Sequence, residues 1–246
     1  MRIAILSDIH SNLEALDAVL ARARDEGASA TFVLGDLVGY GADPDAVVAR
    51  LAEQPSTTLI AGNHDLAATG RFDTEWFNPV AAEAIRWTES QMDASTRAFL
   101  SELEPRGESA EGLLVHGSVV DPAAEYVANV EAARESFAAA SFERCFFGHT
   151  HLPTLFVDKG GRIDGYTLRD GAQVSVSPNG ATRFMINPGS VGQPRDGDPR
   201  ASMMIYDADE RTAIVLRIPY EIDAAAAKIR SAGLPAMLAD RLSVGR

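Results

Sequence analysis

All five histidines of this chain stand close to other residues that bind metals or move protons. Asp8-Ile9-His10 and His149-Thr150-His151 each place two such side chains two positions apart. On extended backbone that spacing puts both on one face. Gly62-Asn63-His64-Asp65 gathers three polar side chains behind a glycine, which allows close approach of other backbone. Gly35-Asp36 and Val115-His116-Gly117 complete the set. Taken singly, each has an ordinary reading: a Gly-Asp turn, or a histidine hydrogen-bonded in a loop. Taken together, Asp8, His10, Asp36, Asn63, His116, His149 and His151 offer seven nitrogen and oxygen donors. One tetrahedral zinc site uses about four. Seven donors suit two ions that share a carboxylate. Imidazole and carboxylate favour Mn, Fe, Zn, Ni or Co over Ca.

The elements that must position these residues can be read from hydrophobic period. Segments 2–7, 31–34 and 57–61 read as strands, and 12–25 and 44–53 as helices with apolar residues at helical spacing. Asn12 or Ser11 can cap the first helix. Asp43 precedes Pro44 at the start of the second. Strand–helix–strand–helix–strand argues for a parallel sheet with crossover helices. Asp8, Asp36 and Asn63 are 28 and 27 residues apart, about one strand–helix unit each, so they fall side by side on one sheet edge. Ligands bind at that carboxyl edge in open α/β sheets. Further along, 79–104 reads as mostly helical, 112–115 and 144–147 as strands and 131–140 as a helix. After Pro153, β-type runs at 154–158, 173–176, 183–186, 202–207 and 212–219 are joined by turn signals such as Lys159-Gly160-Gly161 and Pro178-Asn179-Gly180. They read as hairpins in an antiparallel or mixed sheet. A helix is expected at 221–231. One domain over 1–246 with two sheets is the simplest account.

Composition bounds the function. The chain has 246 residues, 46% hydrophobic and 23% charged, enough for an ordinary core. A single cysteine, Cys145, excludes an internal disulfide framework. No apolar run reaches the roughly 20 residues of a membrane helix. The first eight residues read as a strand rather than a secretory leader, so a cytoplasmic location and no membrane partner are expected. The net charge of −13 disfavours a long nucleic acid as partner. It leaves a small phosphoester open, because bound cations reverse the local field. A homo-oligomer is compatible with the sequence.

The ordered blocks Asp8-x-His10, Gly35-Asp36, Gly62-Asn63-His64-Asp65, His116 and Gly148-His149-x-His151 resemble those of the calcineurin-like metallophosphoesterases. The stretches Gly35-Asp-Leu-Val-Gly-Tyr-Gly41 and Asn187-Pro-Gly-Ser-Val-Gly-Gln-Pro-Arg195 are similar to ones in small bacterial and archaeal phosphodiesterases of that family. The resemblance implies an α/β fold, a four-layer α/β/β/α sandwich of two mixed sheets flanked by helices. It implies one divalent cation held by Asp8, His10, Asp36 and His151, and a second by Asp36, Asn63, His116 and His149, with manganese as the first expectation. It further implies in-line attack by a hydroxide shared between the cations, with His64 assisting the leaving group. Asp65 is placed to orient the His64 ring. A phosphodiesterase is expected ahead of a phosphomonoesterase or a nuclease. A retromer subunit of the same fold lacks part of this set and serves as a binding scaffold. The full set here points to an enzyme rather than such a scaffold.

Three further residues are candidate substrate contacts. Asn12 competes with its own capping role, Arg195 lies in a polar turn, and Tyr40 either walls the pocket or packs against its loop. The aromatics Trp76, Phe77 and Trp87 read as core. Their section, 66–106, follows the Gly62–Asp65 motif directly and is placed to roof a pocket and set substrate choice.

Overall fold

The computed structural model describes residues 1–246. In chain order the elements are β1 (Arg2–Leu6), α1 (Leu13–Asp25), β2 (Ala30–Leu34), α2 (Pro44–Ala52), β3 (Thr57–Ile60), α3 (Asn63–Ala68), α4 (Pro79–Gln91), α5 (Ala94–Ser101), β4 (Arg106–Ser109), β5 (Gly112–Val115) and α6 (Val130–Ala139). They continue with β6 (Arg144–Phe146), β7 (Pro153–Lys159), β8 (Arg162–Thr167), β9 (Gln173–Ser175), β10 (Thr182–Pro188), β11 (Ala201–Asp207), β12 (Thr212–Ile218), α7 (Ile222–Ser231) and α8 (Ala236–Asp240).

Two mixed sheets of six strands result, ordered β3-β2-β1-β11-β12-β9 and β4-β5-β6-β10-β7-β8. The first three strands pair in parallel, as the alternation of strands and helices requires. Period-two alternation assigns each strand's two faces to different layers. In β1, Ile3 and Ile5 point between the sheets while Ala4 and Leu6 meet α1 and α2 on the outside. In β6 and β10, Phe146, Phe184 and Ile186 face inward, while Cys145 and Met185 pack under α6. The order is therefore helix, sheet, sheet, helix. A separate apolar cluster joins α4, α7 and α8 beside Tyr40. No helix is long and apolar enough to cross a membrane.

The strands after Pro153 do not form a sheet of their own. β7, β8 and β10 extend the second sheet, whereas β9, β11 and β12 extend the first beside β1. Lys159 to Arg162 does close a hairpin, with left-handed Gly160 and Gly161 at its tip, as two-residue turns demand. The Pro178-Asn179-Gly180 turn does not. β9 pairs with β12, and β10 pairs with β6 and β7, so this turn carries the chain from one sheet to the other. The reason is burial. Val176 on one side and Phe184 on the other both enter the layer between the sheets, from opposite walls. The expected helical stretch 79–104 is two helices, broken at Met92 and restarted by Asp93, whose carboxylate caps α5 at the Thr96 N–H. β4 and β8 carry no clear apolar alternation that would mark them in the sequence.

Candidate functional site

The loops leaving β1, β2, β3, β5 and β6 meet at one edge and are stitched by backbone hydrogen bonds. Asp8 N–H donates to the Gly35 carbonyl (3.1 Å), His10 N–H to Asp36 (2.9 Å) and Gly148 N–H to His116 (2.9 Å). The 187–193 segment ties in as well. Asn187 Nδ2 donates to the Gly148 carbonyl (2.7 Å) and Ser190 Oγ to the Asp8 carbonyl (2.8 Å). Asn63, His64 and Asp65 are not loop residues but the first turn of α3. Seven of the nine non-glycine residues with left-handed backbone lie at this edge: Asp8, His10, Ser11, Asp36, Tyr40, His149 and His151, with φ between 51° and 65°. Such conformations cost about 1–3 kcal/mol each and concentrate at functional sites. Here they turn side chains inward that a regular strand would send to alternate faces.

The side chains form two groups that share one carboxylate. Asp8, His10, Asp36 and His151 bring one ligand-type atom each within 4.8 Å of one another, and Asp36, His116 and His149 do the same. All are buried. Asp36 Oδ2 stands 3.5 Å from His10 Nε2 and 3.4 Å from His116 Nε2, between the two groups. Asn63 Oδ1 lies 3.1 Å from His116 Nε2. The seven residues singled out by spacing are thus brought together.

The hydrogen bonds of the histidines decide what their facing nitrogens can do. His10 Nδ1 lies 3.1 Å from the Val38 carbonyl and His151 Nδ1 2.6 Å from that of Gln193. His116 Nδ1 lies 2.7 Å from the Leu34 carbonyl and His149 Nε2 2.9 Å from that of Ala124. A carbonyl only accepts, so each of these nitrogens carries the proton, and the other nitrogen of each neutral ring is a bare lone pair. These second nitrogens face one another: His10 Nε2 is 3.2 Å from His151 Nε2, and His116 Nε2, which also faces Asp36 Oδ2, is 3.2 Å from the bare His149 Nδ1. Two lone pairs at hydrogen-bond distance repel unless a cation or a proton lies between them. Asp8 Oδ1 is buried without a hydrogen-bond donor, 3.3 Å from His151 Nε2. This donor set fits divalent cations, down to the backbone carbonyls that fix each imidazole's orientation.

The proton affinities follow from burial and from Asp36. Burial alone would raise Asp36, but the charges of His116 and His64 and a hydrogen bond from His116 outweigh it and hold the carboxyl well below its ordinary range. Burial alone would lower His116, but Asp36 and Asp8 raise it to about 9. Burial lowers His10, His151, His149 (to about 3) and His64 (to about 4), and raises Asp8 to about 7. A cation entering near neutral pH therefore displaces protons from His116 and partly from Asp8, and affinity must rise with pH. Manganese affinity is expected to increase about tenfold or more from pH 6.5 to 7.5, since each released proton contributes a factor of ten per pH unit. Calorimetry in buffers of different ionisation enthalpy would register the released protons. Equal affinity and no proton release across that range would contradict the donor assignment.

Several expectations need correction. Asp65 does not orient the His64 ring. Its carboxylate accepts from the Gly62 N–H (2.8 Å) and the Val38 N–H (3.0 Å), capping α3 and pinning the 35–41 loop, while His64 Nδ1 has no partner. Asp65 is a positioning residue. Asn12 caps α1 by accepting from Ala15 N–H (3.1 Å) and gives its Nδ2 to the Gly192 carbonyl (3.0 Å), so its amide is spent inside the protein. Trp76 is not core: it is 81% exposed. Tyr40 both packs and lines. Its ring centre is 4.5 Å from that of His64 and 4.6 Å from that of His10. Arg195 is half-buried with no carboxylate partner. It donates to Gln193 Oε1 (3.0 Å), and its guanidinium lies 5.9 Å from the centre of the Tyr40 ring. Its charge is among the causes that lower His151, His10 and His64.

A cleft of about 250 Å³ opens over Asn63, His64 and His149. Phe72, Trp76 and Phe77 from the 66–106 section line it together with Tyr126. Tyr126, stacked on His149 with ring centres 3.8 Å apart, was missed in the sequence, where it carries no motif. Gly62 is required by a close approach. A Cβ there would overlap Asp36 Oδ1 and crowd the Asp36 backbone nitrogen. Gly62→Ala is expected to displace Asp36 and lower metal content sharply while the circular-dichroism spectrum stays native. Full metal occupancy in that variant would show that the loop can yield.

The calcineurin-like phosphoesterase superfamily domain matches this chain over residues 1–211. An uncharacterized protein of Methanocaldococcus jannaschii is 34% identical over 248 residues, 99% of this chain and 98% of that one. The crystal structure of a metallophosphoesterase from Sphaerobacter thermophilus superimposes with a TM-score of 0.89 at 39% identity, covering 100% of this chain and 99% of that one. A hypothetical protein from Pyrococcus horikoshii shares the fold, with a TM-score of 0.79 at 18% identity over 100% of this chain and 98% of its own. With two six-stranded mixed sheets between helices, and a shared carboxylate between two histidine groups at their edge, the chain belongs to the calcineurin-like phosphoesterase superfamily, a family of phosphoester hydrolases.

Proposed function

We propose that this protein hydrolyses small phosphoesters in the cytoplasm, diesters in preference to monoesters, using two divalent transition-metal ions, manganese first among the candidates. The observation that carries this reading is the pairwise convergence of histidine nitrogens on either side of Asp36. Asp8, His10, Asp36 and His151 would hold one ion, and Asp36, Asn63, His116 and His149 the other. When bound, such ions lower the pKa of water and neutralise phosphoryl charge. The preference for diesters is drawn from the motifs shared with small phosphodiesterases.

The chain's own residues supply the rest. His64 borders the cleft beside Asn63 as a neutral imidazole, because burial disfavours its charged form. In that form it gives one ring N–H to the leaving oxygen. The Asp36 carboxylate accepts from the His64 backbone N–H (2.9 Å), which fixes the start of α3 relative to the shared carboxylate. Arg195, cationic and without an acid partner, offers its guanidinium to substrate oxygens across the Tyr40 ring. Arg195→Ala is expected to raise KM about tenfold or more with a smaller effect on kcat, as loss of uniform binding does. An unchanged KM would remove Arg195 from the substrate site. The hydrolase reading itself is tested with a chromogenic phosphodiester and its matching monoester in Mn²⁺, with EDTA as control. A protein that holds two metals per chain and turns over neither ester would instead be a binding scaffold.

A further inference from the structure

The cleft beside the metal-ligand cluster has an aromatic wall that the hydrolytic reading does not use. Trp76 ends a short turn, Thr74–Trp76, whose backbone is secured by the Asp73 carboxylate accepting from Glu75 N–H (2.9 Å). Its indole nevertheless stands 81% exposed, the barest of the large apolar side chains. Phe77 beside it packs edge-on against both Phe72 (5.9 Å between centres) and His64 (5.0 Å). In the same lining, Tyr126 is half exposed and its ring lies nearly parallel to His149 (21°). Tyr126 and Trp76 come from segments separated by two helices and two strands, yet they border one cavity. A rigid indole held in water beside a reacting centre is unused contact area, of the kind aromatic side chains supply at recognition sites. The cavity, about 250 Å³, is below the roughly 300–1,000 Å³ of drug-sized pockets. It is sized for one ring system.

We propose that Trp76 and Tyr126 form a subsite for a planar aromatic group carried by the phosphoester, so that the substrate's flat ring stacks on this aromatic lining while its phosphoryl group lies against Asn63, His64 and His149. This rests on the phosphoester-hydrolase reading and adds the substrate class. The flat group can be a nucleobase or a simple aryl ring. Both offer a π-face, and an aliphatic ester such as a glycerol phosphate offers none.

The test compares three methyl phosphodiesters in Mn²⁺, those of adenosine 5′-phosphate, phenyl phosphate and glycerol 3-phosphate, together with the corresponding monoesters. Hydrolysis is followed by ³¹P NMR. The expected result is a kcat/KM for the ring-bearing esters about 10- to 100-fold above that of the glycerol ester. Trp76→Ala, at a surface position where folding is not at stake, should remove that advantage and leave the glycerol ester unchanged. Tyr126→Leu should reduce that advantage in part, read as the ratio of ring-bearing to glycerol rates because Tyr126 also stacks on His149. A higher rate for adenosine than for phenyl assigns the ring to a nucleobase, and the reverse assigns it to an aryl group. A second readout is independent of turnover. In a Trp87→Phe background the only indole is Trp76, and AMP should quench its fluorescence saturably while glycerol 3-phosphate does not. Equal rates for all three esters, or equal losses on all three in Trp76→Ala, would overturn the subsite. Saturable quenching by AMP without hydrolysis of any ester would uphold the subsite and refute the hydrolase reading. Absence of both the quenching and the ring preference would overturn the proposal.

Discussion

Asp36→Asn is expected to cost the protein both its metal content and its activity. The substitution keeps the shape of the side chain and can still accept from the His64 backbone N–H at Oδ1. It removes the negative charge that stands 3.5 Å from His10 Nε2 and 3.4 Å from His116 Nε2. No other carboxylate reaches both groups, because Asp8 approaches His151 and Asp65 is committed to the Gly62 and Val38 N–H groups. Bound metal, measured by elemental analysis, should fall from two ions per chain to one or none. The kcat/KM on a phosphoester should drop about 10³-fold or more, equivalent to ~4 kcal/mol. In the metal-free variant the pKa of His116 should also fall, since the charge of Asp36 leads the causes that raise it. NMR titration of the His116 ring would follow this. A variant that retains two ions and full turnover would show that Asp36 is not the shared ligand.

His64→Ala should separate chemistry from metal binding. His64 is buried and borders the cleft, its Nδ1 has no hydrogen-bond partner, and it belongs to neither ligand group. Loss of one hydrogen-bond donor to charge developing on an oxygen typically costs about 10²–10³-fold, so kcat should fall by about that factor with two ions still bound. The ring also fills space against Tyr40 and Phe77, with centres 4.5 and 5.0 Å away, so truncation leaves a gap. His64→Leu keeps much of that volume without a hydrogen-bond donor and should lose activity to a similar degree. If leucine restores the rate, the ring's role is packing. If metal content falls with either variant, His64 belongs to the ligand set and the division of labour drawn above is wrong.

The spacing of Asp8, Asp36 and Asn63, each about one strand–helix unit from the next, was enough to place three donors on one edge. Apolar periodicity placed β1 to β3 and their helices for the same reason: a buried parallel sheet needs regular runs and crossover helices. The histidine pairs were legible because five histidines in so long a chain all fell beside strand ends. What short β-type runs pair with is not legible in this way. Pairing is decided by which apolar face reaches which layer, and so β9 and β10, adjacent in sequence, lie in different sheets.

The residue types alone determined the donor set and its order along the chain, since imidazole, carboxylate and carboxamide have fixed chemistry wherever they fall. Tertiary structure alone decided which donor faces which. Four backbone carbonyls, from Leu34, Val38, Ala124 and Gln193, hold the histidine rings in orientations that turn one nitrogen of each toward the cluster. A carbonyl is common to every residue and leaves no trace in a sequence. The same holds for Asp65, where an acid beside a histidine suggests a pair, but the nearer N–H groups of Gly62 and Val38 take the carboxylate. It holds also for Trp76, apolar and so expected inside, which the fold leaves in water at the mouth of the cleft. Sequence specifies the functional groups, and packing specifies their directions, because direction depends on contacts between segments far apart in the chain.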